Sequence, residues 1–374
     1  MTFLIVTHAG HKHYNGNYYA YGPYVREMNI WIKYAESVIL VAPMEEGYTP
    51  VAIDLAYTHT DITFIPLPRF NIRSVGSLIK TLLILPVLIF RIAKGMRNAD
   101  HIHLRCPGNV GLIGCCVQVF FRQKIKTAKY AGNWDPAMRK IKTYNWQRSI
   151  LSSEKLSKNM TVLVYGQWPN QTRNVKSFFT ASYSNSEVIT TPIRSLSLKI
   201  KCIYCGFLLK EKRPLLSIRA IESLYKMGFD IELTLLGEGE ERGNLEEYIK
   251  KHNLESIIHL RGNVPISNVK QYMQESHFLT FYGHDSEGWP KVVAEAMFWG
   301  CVPLVRLISC TDYMLANGER GTLVEDSVES MTDAIKKYIA DPSFYHITAE
   351  KAMHWSRQYT LERFEEEIKK LMLN

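Results

Sequence analysis

The sequence predicts an α/β protein of two halves, each built on a parallel sheet. Strand-length apolar runs alternate with helical periodicity from Phe3 onward, a polar stretch with Pro192 interrupts them at 182–197, and the alternation then restarts. Such alternation calls for a parallel sheet covered on both faces. With 374 residues, the chain is long enough for two domains with a core each.

In the first half the buried strand is expected at 3–7. A polar loop rich in glycine and aromatic residues follows at 8–23, then a helix at 24–35 and an apolar run at 37–42. A long helical stretch spans 75–96. It leads to a strand at 101–105, a helix at 109–121 and a strand at 126–130. In the second half strands are expected at 201–207, 231–236 and 257–260, and helices at 214–227, 244–252 and 267–275. The strand-like run 277–282 comes next, and a last helix covers 361–371.

Composition narrows the function classes. The chain is 46% hydrophobic and 22% charged, as expected of a folded soluble protein. Its start, MTFLIVTHAG, lacks the basic region of a signal peptide. Seven scattered cysteines suggest reduced thiols in a cytosolic protein. Cys202 and Cys205 form a lone C-x-x-C inside a strand, which reads as buried thiols. Residues 1–190 carry 22 Lys/Arg against 10 Asp/Glu, while the rest carries 23 against 26. The first half is therefore a cation facing something negative: anionic lipid, a phosphate-bearing substrate or nucleic acid. No nucleic-acid recognition motif accompanies the charge, so no nucleic acid partner is expected.

The most informative stretch is DSEGWPKVVAEAMFWGCVPLV. Its loop ends at Pro290, expected to open a helix with apolar positions Val292, Val293, Ala296 and Met297. The amides at such a helix start, with the dipole behind them, make an anion site. Glu287 in the loop and Glu295 on the second turn flank it. A positive backbone pole between carboxylates suits a ligand with phosphates at one end and sugar hydroxyls around them, the layout of a nucleotide sugar.

Glu287, Gly288, Pro290, Glu295, Ala296, Met297, Gly300 and Pro303 match in register the signature E-G-x-P-x-x-x-x-E-A-M-x-x-G-x-P. The chain thus resembles the family 4 (group 1) glycosyltransferases of the GT-B fold. The resemblance implies two facing doubly wound Rossmann-like domains with a cleft between them. It implies an acceptor-binding domain at 1–185, rejoined by the final helix (361–374), and a nucleotide-sugar-binding domain at 198–355. Gly206, Leu208, Glu211 and Lys212 are similar to the family's G-R-L-x-x-E-K-G loop, but Phe207 replaces its arginine. Lys212 remains as a point charge, without a bidentate fork, and Arg213 or Lys291 could fill the gap. The G-x-G of Gly237 and Gly239 is no dinucleotide fingerprint, because Arg242 takes the third glycine's place.

Family roles carried over put Glu295 on the ribose hydroxyls and Glu287 near the transferred sugar. The amides of Gly288, Trp289 and Lys291 would meet sugar and diphosphate, and Gly262, Asn263 and Val264 would hold the base. The implied reaction is a retaining transfer from a UDP- or GDP-linked sugar with no metal or other cofactor. The acceptor would be a lipid-linked saccharide of a surface polysaccharide such as lipopolysaccharide or capsule. Glu287 would orient and carry charge, without the covalent route of retaining glycosidases. Arg105 stands where the family often has a histidine and is a catalytic candidate that could contact the acceptor or departing phosphate, and His103, two residues earlier, is a candidate for binding the acceptor. Arginine cannot act there as a base. Gly16 or Gly22 could correspond to the family's glycine in the loop after the first strand. His8, His11 and His13 share that loop, but no carboxylate or cysteine completes a metal set.

Only ten residues separate Lys80 from Arg91, about 15 Å of helix and half of a ~30 Å hydrocarbon core. The helix cannot cross a bilayer; it is either a core helix or an element set into one leaflet. Arg69, Arg73, Arg91, Lys94 and Arg97 around it favour an anionic membrane surface. The expected location is cytoplasmic, peripheral on the inner face of the cytoplasmic membrane. Two other readings keep the fold: a nucleotide-sugar epimerase, and a catalytically silent partner subunit, for which Phe207 and Arg105 speak.

Overall fold

The computed structural model describes residues 1–45, 47, 49–51, 53–70, 75–138, 141–197 and 199–373, with the side chains of 75–80 outside the description. Arg73 and Leu198 lie outside the described residues, and Lys80 is described in its backbone alone. The chain divides into two compact units, Met1–Phe178 with Glu365–Asn374, and Phe179–Phe364.

The first unit is organised by a seven-stranded parallel sheet. Its strands in chain order are β1 (Thr2–Val6), β4 (Ser37–Pro43), β6 (Ile62–Leu67), β7 (His101–Cys106), β8 (Ile125–Tyr130), β9 (Met160–Tyr165) and β10 (Val175–Phe178). They lie in the order β10-β9-β8-β7-β1-β4-β6, so the direction of winding reverses between β1 and β7. Strands buried on both faces read as unbroken apolar runs, which is why β1 was visible from TFLIV alone. Helices α1 (Gly22–Ile32), α2 (Val75–Asn98), α3 (Asn109–Val117) and α4 (Lys142–Ser152) complete this unit, with most of α12 (Leu361–Leu373). On α2, Leu88, Ile92 and Met96 point into the core with Leu4, Val41 and Leu104.

The expected polar loop 8–23 is instead a hairpin, β2 (Lys12–Tyr14) and β3 (Asn17–Tyr21), extended by β5 (Asp54–Ala56) into a small antiparallel sheet. Asn15 and Gly16 form its two-residue turn, with φ of 47° and 78°. Positive φ at both central positions is the hairpin turn that Asn-Gly favours. Gly16 thus has a backbone reason to be glycine that needs no ligand.

The second unit holds β11 (Ile200–Cys205), β12 (Ile231–Leu236), β13 (Ile258–Gly262), β14 (Phe278–Phe281), β15 (Val302–Arg306) and β16 (Thr322–Val324). All pair in parallel, in the order β13-β12-β11-β14-β15-β16, and the winding reverses between β11 and β14. Helices α5 (Pro214–Lys226), α6 (Arg242–Lys251), α7 (Ile266–Glu275), α8 (Lys291–Phe298), α9 (Thr311–Leu315), α10 (Val328–Ala340) and α11 (Pro342–Ser356) make the crossovers and cover. The core gathers Ile203's neighbours Cys202 and Tyr204 with Leu233, Leu235, Phe278, Leu304 and Tyr338. Cys202 and Cys205 are three residues apart on β11, so the strand's period of two turns them to opposite faces. All seven cysteines are free thiols.

Candidate functional site

In open parallel sheets ligands bind beyond the carboxyl ends of the strands, where the winding reverses. In the second unit that point lies between β11 and β14, and the chain segments after these strands bring the expected residues together. After β11, a short turn at Lys210–Lys212 presents Lys212. After β14, a turn closed by the Glu287 amide on the His284 carbonyl, 2.9 Å, presents Glu287. Lys212 Nζ and Glu287 Oε1 meet at 2.7 Å, each side chain 20% exposed. A cation and an anion therefore stand together, half wet, over the topological switch point.

The neighbouring loops are locked by backbone. Gly206 N donates to Leu236 O, Leu208 N to Glu238 O and Gly237 N to Gly262 O, at 2.8–2.9 Å. A Cβ at Gly237 would collide with the Gly206 carbonyl oxygen, and one at Gly239 with that of Leu208. The G-x-G turn thus lets three strand ends approach closely, and Arg242 after it is committed to Glu238 and Glu246. Gly262 closes β13 with φ of 69°; Asn263 beside it is exposed and Val264 half-buried. The strand-end row therefore runs from Asn263 past Gly206 to Glu287 within one unit.

One expectation about the signature needs correction, and one open alternative for the donor loop closes. Helix α8 begins at Lys291, with Pro290 as the residue before it (φ −73°, ψ 91°), so the proline ends the loop and does not open the first turn. Arg213 is not available in place of the missing arginine: it adopts a left-handed backbone, donates to the Gly283 carbonyl at 3.1 Å and pairs with Asp326 at 3.0 Å. Phe207 presents an exposed ring (53%) where that arginine would stand.

Supporting contacts fix the remaining signature residues. Gly288 O accepts from Ser309 Oγ at 2.7 Å, which sets the loop ahead of α8. The Trp289 ring is buried and stacks on Trp355, with centroids 6.0 Å apart. Glu295 Oε1 accepts a 2.5 Å hydrogen bond from Ser182 Oγ. Burial, and then the Glu295 charge, push the Cys205 thiol up to about 12, so that thiol stays protonated near neutrality. Ser182 and Ser309 were not identified from sequence; a lone serine in a polar stretch carries no signal of its partner.

In the first unit the switch point lies between β1 and β7. Arg105, near the end of β7, is no free cation: its Nη1 and Nη2 reach Glu27 Oε1 and Oε2 at 2.7 and 3.4 Å. Lys129 Nζ lies 2.9 Å from the same carboxylate, so Arg105 and Lys129 share it. Burial alone would lower the Arg105 guanidinium, but Glu27 outweighs it and holds it above its ordinary range. Glu27 had a readable signal, since it lies on the buried stripe of α1 between Tyr24 and Trp31. His103 has no surface to offer an acceptor. It is fully buried, 2.9 Å from Thr127 Oγ1 and packed on Trp31, and burial holds it well below the ordinary histidine range. Gly22 starts α1 and donates to Ile53 O at 2.9 Å, a structural anchor.

His11 is buried too, with Nδ1–H donating to Ala9 O and Nε2 accepting from Tyr57, both at 2.8 Å. Among the described residues no three His, Cys, Asp or Glu side chains gather as metal ligands.

Residues 194–355 match the family described as "Glycosyl transferases group 1". An "Uncharacterized glycosyltransferase" of Haemophilus influenzae is 29% identical over 147 residues, 38% of this chain and 40% of that protein. The N-acetylgalactosamine-N,N'-diacetylbacillosaminyl-diphospho-undecaprenol 4-alpha-N-acetylgalactosaminyltransferase of Campylobacter jejuni is 32% identical over 157 residues, 40% of each chain. The chain thus matches about two fifths of the length of these relatives. Among solved structures, the Anabaena protein HepE in complex with UDP and glucose superposes with a TM-score of 0.67 at 14% identity, over 99% of this chain and 98% of that one. WaaG, "a glycosyltransferase involved in lipopolysaccharide biosynthesis", gives 0.61 at 15%, over 100% and 99%. At such identities the likeness concerns the fold.

Proposed function

We propose that this chain, which has the GT-B fold and belongs through residues 194–355 to the group 1 glycosyltransferases, transfers a sugar from a UDP- or GDP-linked donor to a lipid-linked saccharide. The observation that carries the reading is the Lys212–Glu287 pair over the β11/β14 switch point, next to the start of α8. In this reading Phe179–Phe364 binds the donor and the first unit binds the acceptor. The base lies along Gly262, Asn263 and Val264, the ribose on Glu295, and the diphosphate against Lys212 and the amides of Gly288, Trp289 and Lys291. Preorganised donors aimed at the developing diphosphate charge stabilise the leaving group. Glu287 holds Lys212 in place and faces the transferred sugar; transfer proceeds with retention and without metal. The Campylobacter relative, whose name carries a diphospho-undecaprenol-linked acceptor, supports the acceptor class.

A panel of nucleotide sugars tests the donor reading by thermal shift. A true donor at one hundred times its Kd stabilises by about 2.7 kcal/mol. Glu295→Ala is expected to weaken that donor tenfold or more, the loss of a hydrogen bond to a charged group. A panel without a hit, or a Glu295→Ala variant that binds as the parent does, sinks the assignment. Phe207 and the committed Arg105 favour a second reading, a silent partner subunit. Donor binding without turnover on lipid-linked acceptors would establish it.

The membrane part of the proposal rests on α2. Leu82, Leu83, Val87 and Phe90 are exposed, Phe90 to 68%, while the opposite side fills the core. Lys94 and Arg97 follow on the exposed side, whereas Arg69 pairs with Glu45 and Arg91 with the Pro66 carbonyl. Among the described residues no helix is long and apolar enough to cross a membrane. Such a face suits one leaflet of an anionic bilayer, at the inner side of the cytoplasmic membrane. Burying Phe90 is worth about 1.5–3 kcal/mol, so Phe90→Ser should lower flotation with anionic liposomes roughly tenfold or more. Equal flotation of parent and variant would remove α2 from the contact.

A further inference from the structure

The first unit contains a cavity of about 550 Å³ that the donor chemistry does not use. It opens where the segments after β8 and β9 meet α4, again at the carboxyl edge of the parallel sheet, where open α/β folds bind ligands. Its wall is of mixed character: the indoles of Trp134 and Trp168, the amides of Asn145 and Gln171, the hydroxyl of Ser149 and the guanidinium of Arg148. The indoles are held in place. Trp168 Nε1 donates to Tyr165 O at 2.7 Å, and Trp134 packs edge-on against Tyr130, centroids 4.8 Å apart.

Two polar groups in this wall have unspent capacity. Gln171 Nε2 is buried and has no hydrogen-bond partner, a state that is costly unless a ligand satisfies it. Arg148 lies 5.6 Å from the Trp134 ring centroid and donates to the Asp135 carbonyl at 3.0 Å. Among the described residues, no carboxylate forms an ion pair with Arg148. Rigid indoles beside amide donors and one unneutralised guanidinium match the two-sided chemistry of a pyranose, whose C–H faces pack on rings while its hydroxyls need hydrogen bonds.

We propose that this cavity binds a sugar unit of the acceptor away from the reacting hydroxyl, with Arg148 favouring a unit that carries a carboxylate. The placement fits: β9 is two strands from β7, on the order of 10 Å from the edge that carries Arg105. The inference rests on the glycosyl-transfer reading for the word acceptor, but the binding of saccharide does not.

The test is titration of the full chain with a neutral N-acetylhexosamine trimer and with a uronic acid trimer, following the indole N–H resonances of Trp134 and Trp168. Saturable shifts are expected, tighter with the uronic acid trimer. Gln171→Leu and Arg148→Ala should each weaken that binding about tenfold, equivalent to roughly 1.4 kcal/mol, while leaving the thermal shift by nucleotide sugar unchanged. The unchanged donor response shows that both variants are folded. Failure of both trimers to move either indole, or variants that bind as the parent does, overturns the proposal. A chain that binds trimers but no nucleotide sugar keeps the cavity's assignment and loses the transferase reading instead.

Discussion

Lys212→Met and Glu287→Gln are each expected to lower turnover by about 100- to 1000-fold, the scale of losing one preorganised charge partner at a reacting centre. The two losses should differ in kind. Without Lys212, the Glu287 carboxylate stands uncompensated beside an incoming diphosphate, so donor KM should rise along with the fall in kcat. Without the Glu287 charge, Lys212 is released toward the phosphates. Donor KM should then hold or fall while kcat drops, because the sugar loses its orienting group and the lysine its anchor. Neither change should matter much for folding, since a pair with both side chains 20% exposed contributes about 0–1 kcal/mol. Steady-state kinetics beside thermal melts separates the outcomes. Wild-type rates in both variants would falsify a role for this pair in transfer, and a collapse in melting temperature would recast it as structural.

What the sequence disclosed follows a physical divide. Elements whose identity is local were readable: β12 at Ile231–Leu236, IELTLL, alternates apolar and polar residues at its start as a strand does, and α5 begins at Pro214, where proline suits a first helical turn. The signature around α8 was readable because its residues lie close in sequence, on one loop and one helix start. The hairpin at 12–21 was missed although Asn15-Gly16 is a strong turn signal; its histidines and tyrosines lack the apolar alternation that marks strands. Strand β6, with Pro66 inside, has the same weakness, as proline demotes a run in strand reading. Tertiary pairings were out of reach altogether. Nothing in sequence separations of 113 residues for Ser182 and Glu295, or 78 for Glu27 and Arg105, links the partners. His103 looked available because it neighbours a motif position, but it sits two residues deeper in β7 on the same face as Arg105, covered by Trp31.

The second large effect concerns Glu27. Its carboxylate, with a side chain only 5% exposed, faces Arg105 at 2.7 Å and Lys129 at 2.9 Å. Lys129 is itself fully buried, with Tyr165 and Phe178 rings 5.3 Å away. Glu27→Gln keeps the shape but leaves two desolvated cations without their anion. Breaking a buried ion pair in this way costs about 3–5 kcal/mol, which for a unit of this size lowers Tm by roughly ten degrees. Lys129→Met should cost far less, because it leaves Arg105 and Glu27 as a balanced, two-pronged pair. Adding Lys129→Met to Glu27→Gln should recover part of the loss by removing one of the stranded charges, a coupling that a double-mutant cycle measures directly. If Glu27→Gln melts like the parent, the cluster is hydrated enough for water to replace the carboxylate. Arg105 would then be free to serve the acceptor after all.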